Sequence, residues 1–106
     1  MTLQQLEYIV ALDDYRHYVT AAEHTFVSQP NLTMQVKKLE DEIGVKIFDR
    51  DKKPLQPTDI GKEVLIRARQ ILRESNQLKE FVNHEREAME GEYRIGIIPT
   101  LAPYLP

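Results

Sequence analysis

Between Thr20 and Ile43 the chain parses as a short helix, a tight turn and a second helix, and every neighbouring segment must fit this stretch. Ser28 stands where an N-cap belongs, its hydroxyl free to accept a bond from one of the second helix's first orphan amides. Pro30 falls in the first turn, where a missing N–H costs nothing. Leu32, Val36, Leu39 and Ile43 recur at spacings of 4, 3 and 4 and draw one apolar stripe. Gly44 follows as a C-terminal stop. In the first helix, Ala21 and Ala22 allow the close helix–helix approach that a helix-turn-helix needs.

The face opposite the stripe carries Pro30, Thr33, Met34, Lys37 and Lys38, with Ser28, Gln29 and Asn31 at the N-terminal end. Amides read adenine edges, apolar atoms meet thymine methyl groups, and lysines hold phosphates. A helix sealed on one side and equipped this way on the other suits a DNA major groove. A plain surface helix packed on a core would show the same stripe, so the pattern alone leaves both readings open.

Charge weighs against nucleic acid. The chain has 14 basic and 17 acidic residues, a formal net charge of −3, whereas an isolated DNA-binding domain is usually basic. Screening limits the reach of distant charges to about 10 Å, so the local balance decides. From Ser28 to Leu55 six basic residues face five acidic ones, and the outcome depends on which face each sign occupies. At 106 residues, 42% hydrophobic and 29% charged, the chain suits one small folded domain with an appendage. It has no cysteine, which excludes disulfides and thiolate metal sites within these residues. No apolar leader or membrane-length run is present, and a cytoplasmic location with no membrane partner is expected.

Taken in order, Thr2 and Gln5 have the T-x-x-Q form of a capping box, so a helix should start at once and run to about Tyr15. Leu6, Ile9, Val10 and Asp13 share one of its faces, with Leu3 a turn earlier. A connection over 13–18 precedes the second helix, at roughly 19–25. After Gly44 the texture changes. Residues 45–50 alternate and are rich in β-formers, 51–54 make a polar turn, and 55–57 form a short return arm in which Pro57 limits pairing. Two short strands with a basic tip read as a wing, and Arg50, Lys52 and Lys53 would reach a flanking phosphate or the minor groove. Thr58 then caps the longest element. Residues 59–90 contain no proline and would make a rod of roughly 48 Å. Along it Val64, Ala68, Ile71, Ser75, Leu78 and Val82 follow heptad spacing, widened by Leu65, Leu72 and Phe81. A domain of about 57 residues is too small to cover that seam, and a second copy of the same helix is the economical partner. Gly91 is expected to end the helix, and 93–98 reads as a buried strand with no partner of its own.

These residues resemble the amino-terminal part of a LysR-type transcriptional regulator. The motifs carrying the resemblance span residues 1 to about 90 in the family's order: 3–6, Ala21–Ala22, 27–30, 39–44, 47–50 and 58–61. Three further stretches, 6–12, 16–18 and 96–106, resemble the family's peroxide-sensing members. The resemblance implies a mainly α architecture. A winged helix-turn-helix would fill 1–58, a linker helix pairing two subunits 59–90, and the start of a truncated effector domain 91–106. It implies that Gln29, Pro30, Thr33 and Lys37 face the major groove and that Arg50 and its neighbours contact the backbone. Thr100 would begin the first effector-domain helix. Val64, Ala68, Ile71, Leu72, Ser75, Leu78 and Val82 would form the dimer interface. The implied partners are operator DNA, a second copy of the chain and RNA polymerase, with no cofactor or metal. Four positions depart from the family pattern: Thr25, Phe26, Thr33 and Pro57.

Two other classes compete. A coiled-coil interaction module would explain the acidic balance but not the amides and lysines gathered opposite Leu32. An enzyme would need convergent acids, bases or ligands. His17, His24 and His84 are scattered, and the cluster at Glu40, Asp41 and Glu42 reads as a solvated helix face. No catalytic site is expected.

Overall fold

The computed structural model describes residues 1–94, in the order α1 (Leu3–Tyr15), α2 (Tyr18–Thr25), α3 (Gln29–Ile43), β1 (Phe48–Asp49), β2 (Gln56–Pro57) and α4 (Asp59–Arg94). The chain divides into two compact units, Met1–Leu72 and Arg73–Pro106.

Local chemistry sets each helix end of the first unit. Thr2 and Gln5 form the full capping box: the Gln5 amide donates to Thr2 Oγ1 at 3.0 Å, and the Thr2 amide donates to Gln5 Oε1 at 3.1 Å. Helix α1 ends at Arg16, which adopts the left-handed conformation (φ 55°) and donates its amide to Leu12 O. Helix α3 begins at Ser28 and stops at Gly44, where φ of 76° favours glycine and the amide returns to Glu40 O at 2.8 Å.

The core sits where α1, α2, α3 and the start of α4 meet the base of the wing. Leu6, Ile9 and Leu12 of α1, Ala21 and Ala22 of α2, and Leu32, Val36 and Leu39 of α3 are buried together with Ile47, Phe48 and Leu55. The stripe on α3 thus does what its spacing predicts through Leu39, but Ile43 emerges at the surface, as does Leu3 of α1.

The wing is shorter than its sequence suggests. Strands β1 and β2 have two residues each and pair antiparallel, Phe48 with Pro57 and Asp49 with Gln56. Pro57 does not break this ladder, because the adjacent Thr58 amide donates to Ile47 O at 2.9 Å. Thr58 also caps α4, accepting from the Gly61 amide at 2.9 Å while its hydroxyl donates to Lys46 O at 2.6 Å. Gly61 lies so close to the wing base that a Cβ there would overlap the Ile47 carbonyl.

Leu65 and Ala68 of α4 belong to this same core, so the compact unit extends past the expected boundary at residue 58 to Leu72. The helix also runs through Gly91 to Arg94. An interior glycine weakens a helix by about 1 kcal/mol relative to alanine without forbidding it, which is why Gly91 does not act as a stop. Tyr93 and Arg94 are therefore helical; the rest of the expected strand, and Thr100, lie outside the described residues. In the second unit Leu78, Phe81 and Val82 are exposed.

Candidate nucleic-acid interface

Helix α3 presents one sealed side and one open side. Leu32, Val36 and Leu39 are buried beneath it, while Gln29, Pro30, Lys37 and Lys38 are exposed, Met34 is 48% exposed, and Asn31 and Thr33 are half-buried. Ser28 Oγ accepts from the Asn31 amide at 3.2 Å, which fixes the first turn and leaves the Gln29 side chain pointing free of the cap. The turn before it is held by the Val27 amide donating to Ala22 O at 3.1 Å. Thr25, where the family has an apolar residue, donates its hydroxyl to Ala21 O at 2.8 Å and so satisfies itself within α2. Phe26 takes the left-handed conformation at φ 60° and is 93% exposed.

A cleft of about 380 Å³ joins three elements next to this helix. Its walls are Arg16, His17, Tyr18 and Val19 around the start of α2, Gln29 at the start of α3, and Arg50, Lys52, Lys53, Pro54 and Leu55 from the wing. Four residues picked out from sequence, Gln29, Arg50, Lys52 and Lys53, thereby share one concavity. Lys37 and Lys38 lie farther along α3 and outside it. No carboxylate is among the lining residues. The carboxylates behind and beyond the lining are paired: Asp13 with Arg16 at 3.0 Å and with Arg69 at 2.7 Å, Asp14 with Arg69 at 2.7 Å, and Glu42 with the Met1 ammonium. The Arg69 guanidinium is stabilised in its charged form by hydrogen bonds to Asp14 and Asp13, which outweigh partial burial and raise its pKa.

The start of α2 went unnoticed in the sequence. His17 is its N-cap but makes no side-chain capping bond, and His17, Tyr18 and Val19 line the cleft. The stretch from Asp13 to Tyr18 reads as a mere connection, and nothing in its residue types announces a helix end facing a basic tip.

Arg50 and Glu40 differ most from expectation. Glu40 does not lie on a solvated face; it is 2% exposed. Its Oε2 accepts from the Ile47 amide at 2.7 Å and the Phe48 amide at 3.3 Å, and its Oε1 accepts from Arg50 Nη2 at 2.9 Å. The chain turning back after Gly44 leaves those two amides without strand partners, and the carboxylate supplies one. Arg50 Nε in turn donates to the Tyr18 hydroxyl at 3.1 Å. Burial opposes the guanidinium's charge, but Tyr18 and Glu40 outweigh it and its pKa lies above the ordinary value. Arg50 is therefore a braced structural cation rather than a free one, unlike Lys52 and Lys53.

The linker-helix seam is likewise divided. Ala68 is buried in the chain's own core and Val64 and Leu72 pack against it, whereas Ile71, Leu78 and Val82 are exposed and Ser75 is half-buried.

Residues 3–62, more than half of the chain, match the model of the bacterial regulatory helix-turn-helix proteins, lysR family. The chain belongs to the LysR family. Among curated relatives it is 45% identical to the hydrogen peroxide-inducible genes activator of Dickeya chrysanthemi, a match covering 99% of this chain and 34% of that protein. It is 44% identical, with the same coverage, to the DNA-binding transcriptional dual regulator OxyR of Escherichia coli K12. The chain thus spans about a third of the length of the curated relatives it matches. Among solved structures, the BenM DBD in complex with catB site 1 DNA superposes with a TM-score of 0.80 at 26% identity, covering 84% of this chain and 96% of that one. Full-length OxyR of Pseudomonas aeruginosa superposes with a TM-score of 0.76 at 42% identity, covering 79% of this chain and 28% of that one. These likenesses bear out a mainly α winged helix-turn-helix followed by a long helix. The family consists of regulators rather than enzymes, in keeping with the scattered histidines. Among the described residues no helix is long and apolar enough to cross a membrane.

Proposed function

We propose that the chain is the DNA-reading part of a transcriptional regulator, working as a dimer on an inverted repeat. Helix α3 enters the major groove, where Ser28, Gln29, Asn31, Thr33 and Met34 meet base edges and Lys37 and Lys38 meet phosphates. Lys52 and Lys53 of the wing hold the flanking backbone, beside the uncapped start of α2. The observation that carries this reading is the cleft beside Gln29, where Lys52 and Lys53 stand without carboxylate partners among the described residues, while the two arginines of its wall are paired with Asp13 and Glu40. A polyanion finds local positive charge there even though the chain as a whole is acidic.

The dimer reading rests on two apolar surfaces. Leu78, Phe81 and Val82 are exposed on α4, and a groove on the first unit is lined by Leu39, Ile43, Val45, Ile60, Val64 and Ile71. A second copy, related by a two-fold axis, is the economical cover for such apolar surfaces. Residues 59–90 then act as the linker and 91–106 begin an effector domain. The likeness to peroxide-inducible activators supports a peroxide-responsive regulator over one answering a small-molecule effector; with no cysteine in the chain, any redox thiol belongs to residues beyond these 106.

The test is to select duplexes from a randomised pool with the 106-residue chain. Fluorescence anisotropy then follows the selected duplex and a scrambled one across a salt series. Recovery of an inverted repeat, bound more tightly than the scramble and falling linearly in log–log with salt, is the expected result. A pool that yields no common sequence, with salt-independent binding, would overturn it in favour of an interaction module.

A further inference from the structure

The wing has almost no sheet of its own. Its ladder is two residue pairs long, and a two-stranded ribbon that short has no independent stability. What holds it is a set of side chains from three helices. On one side, Glu40 of α3 binds the amides of Ile47 and Phe48 and the guanidinium of Arg50, which also reaches Tyr18 at the start of α2. On the other, Arg16 at the end of α1 donates through Nη1 to Leu55 O at 3.3 Å and Gln56 Oε1 at 3.1 Å. Arg16 is itself held by Asp13, through the carbonyl at 2.7 Å and the carboxylate at 3.0 Å. Each strand of the wing is thus gripped at one end by an arginine that answers to a helix.

We propose that Glu40, Arg50 and Arg16 are positioning residues that set the wing, and with it Lys52 and Lys53, at a fixed angle to α3, so that backbone contact and base reading occur in one pose. The proposal rests on the reading that Lys52 and Lys53 meet phosphates. Charge supports a positioning role. A buried carboxylate bonded to two amides and a guanidinium is rigid, because any movement leaves a buried polar group without a partner. Hydrophobic contacts through Phe48 and Leu55 would hold the wing base, but they do not select one orientation of the tip.

The test compares salt slopes on the selected duplex for four forms of the chain: wild type, Lys52→Ala with Lys53→Ala, Glu40→Gln, and the three substitutions combined. Losing two phosphate contacts per subunit, four in the dimer, should reduce the slope by about 3.6. Glu40→Gln keeps both lysines, yet should lose most of the same slope, and the triple form should lose little more than either parent. Preference for the selected duplex over the scramble should persist in Glu40→Gln, because the cap and stripe of α3 are untouched. Arg16→Lys, at a half-exposed position at the end of α1 that grips the opposite strand, keeps its charge but loses the fork and should reproduce the slope loss if Glu40→Gln proves unfolded by circular dichroism. Additive slope losses, or a folded Glu40→Gln with a wild-type slope, would overturn the proposal. If instead the double lysine variant keeps the wild-type slope, the phosphate reading fails first and the proposal goes with it.

Discussion

Helix α3 and the wing stand side by side over the same cleft, but they are specified in different ways. Everything that shapes α3 lies within a few residues of where it acts: Ser28 caps three residues ahead, the stripe repeats every turn, and Gly44 ends the helix on its own conformation. The wing depends on residues 7 to 40 positions away, namely Glu40 binding Ile47, Tyr18 meeting Arg50, and Arg16 reaching Gln56. A reading surface can be built from local rules, while its angle to a second contact must be set by long-range bonds. The first kind survives changes elsewhere in the chain; the second is broken from any of three helices.

Substitutions can press on that contrast from both sides. The largest effect is expected at the wing base: Gly61→Ala drives a methyl group into the Ile47 carbonyl and should cost at least about 1–3 kcal/mol, read as a lowered thermal midpoint. An unchanged midpoint would show that α4 and the wing base separate freely. On the reading face, Gln29→Ala should lower discrimination by about 1–3 kcal/mol per half-site with the salt slope intact. Equal weakening on selected and scrambled duplexes would remove Gln29 from base reading. Ser28→Ala should destabilise by about 1 kcal/mol, a local loss measurable by urea denaturation without any change in wing behaviour. Smallest is a gain. Phe26→Gly relieves a left-handed phenylalanine but adds backbone freedom to the unfolded chain, leaving a net stabilisation of under about 1 kcal/mol. A loss there would mean that the exposed ring packs on something the free chain also carries.

The same contrast explains what could be read in advance. Helices α1, α2 and α3 and the caps at Thr2, Ser28 and Gly44 were legible because periodicity and capping chemistry are local signals. Four members of the cleft, Gln29, Arg50, Lys52 and Lys53, were visible as residue types on a turn or a helix start. Glu40 was not. Between Leu39 and Asp41 it looks like one more solvated acid, and only the return of the chain over it after Gly44 turns it into a buried acceptor. The bracing of Arg50 was hidden for the same reason, since a cation's partner 10 residues back leaves no mark in composition. The start of α2 was missed because an uncapped helix end leaves no residue-type signal. Ala68 sat correctly on an apolar seam, but periodicity does not say whose core a seam fills.

The burial of Leu65 and Ala68 has a practical corollary for protein engineering. A DNA-reading head transplanted at the visible end of the wing, near residue 58, would leave behind two side chains that complete its interior and Arg69, the partner of Asp13 and Asp14. The portable cassette is therefore the stretch through Leu72, with the fusion joint placed on the helix itself. A recipient protein must continue that helix in phase, and the joint's rotational register becomes the variable that a chimera designer has to tune.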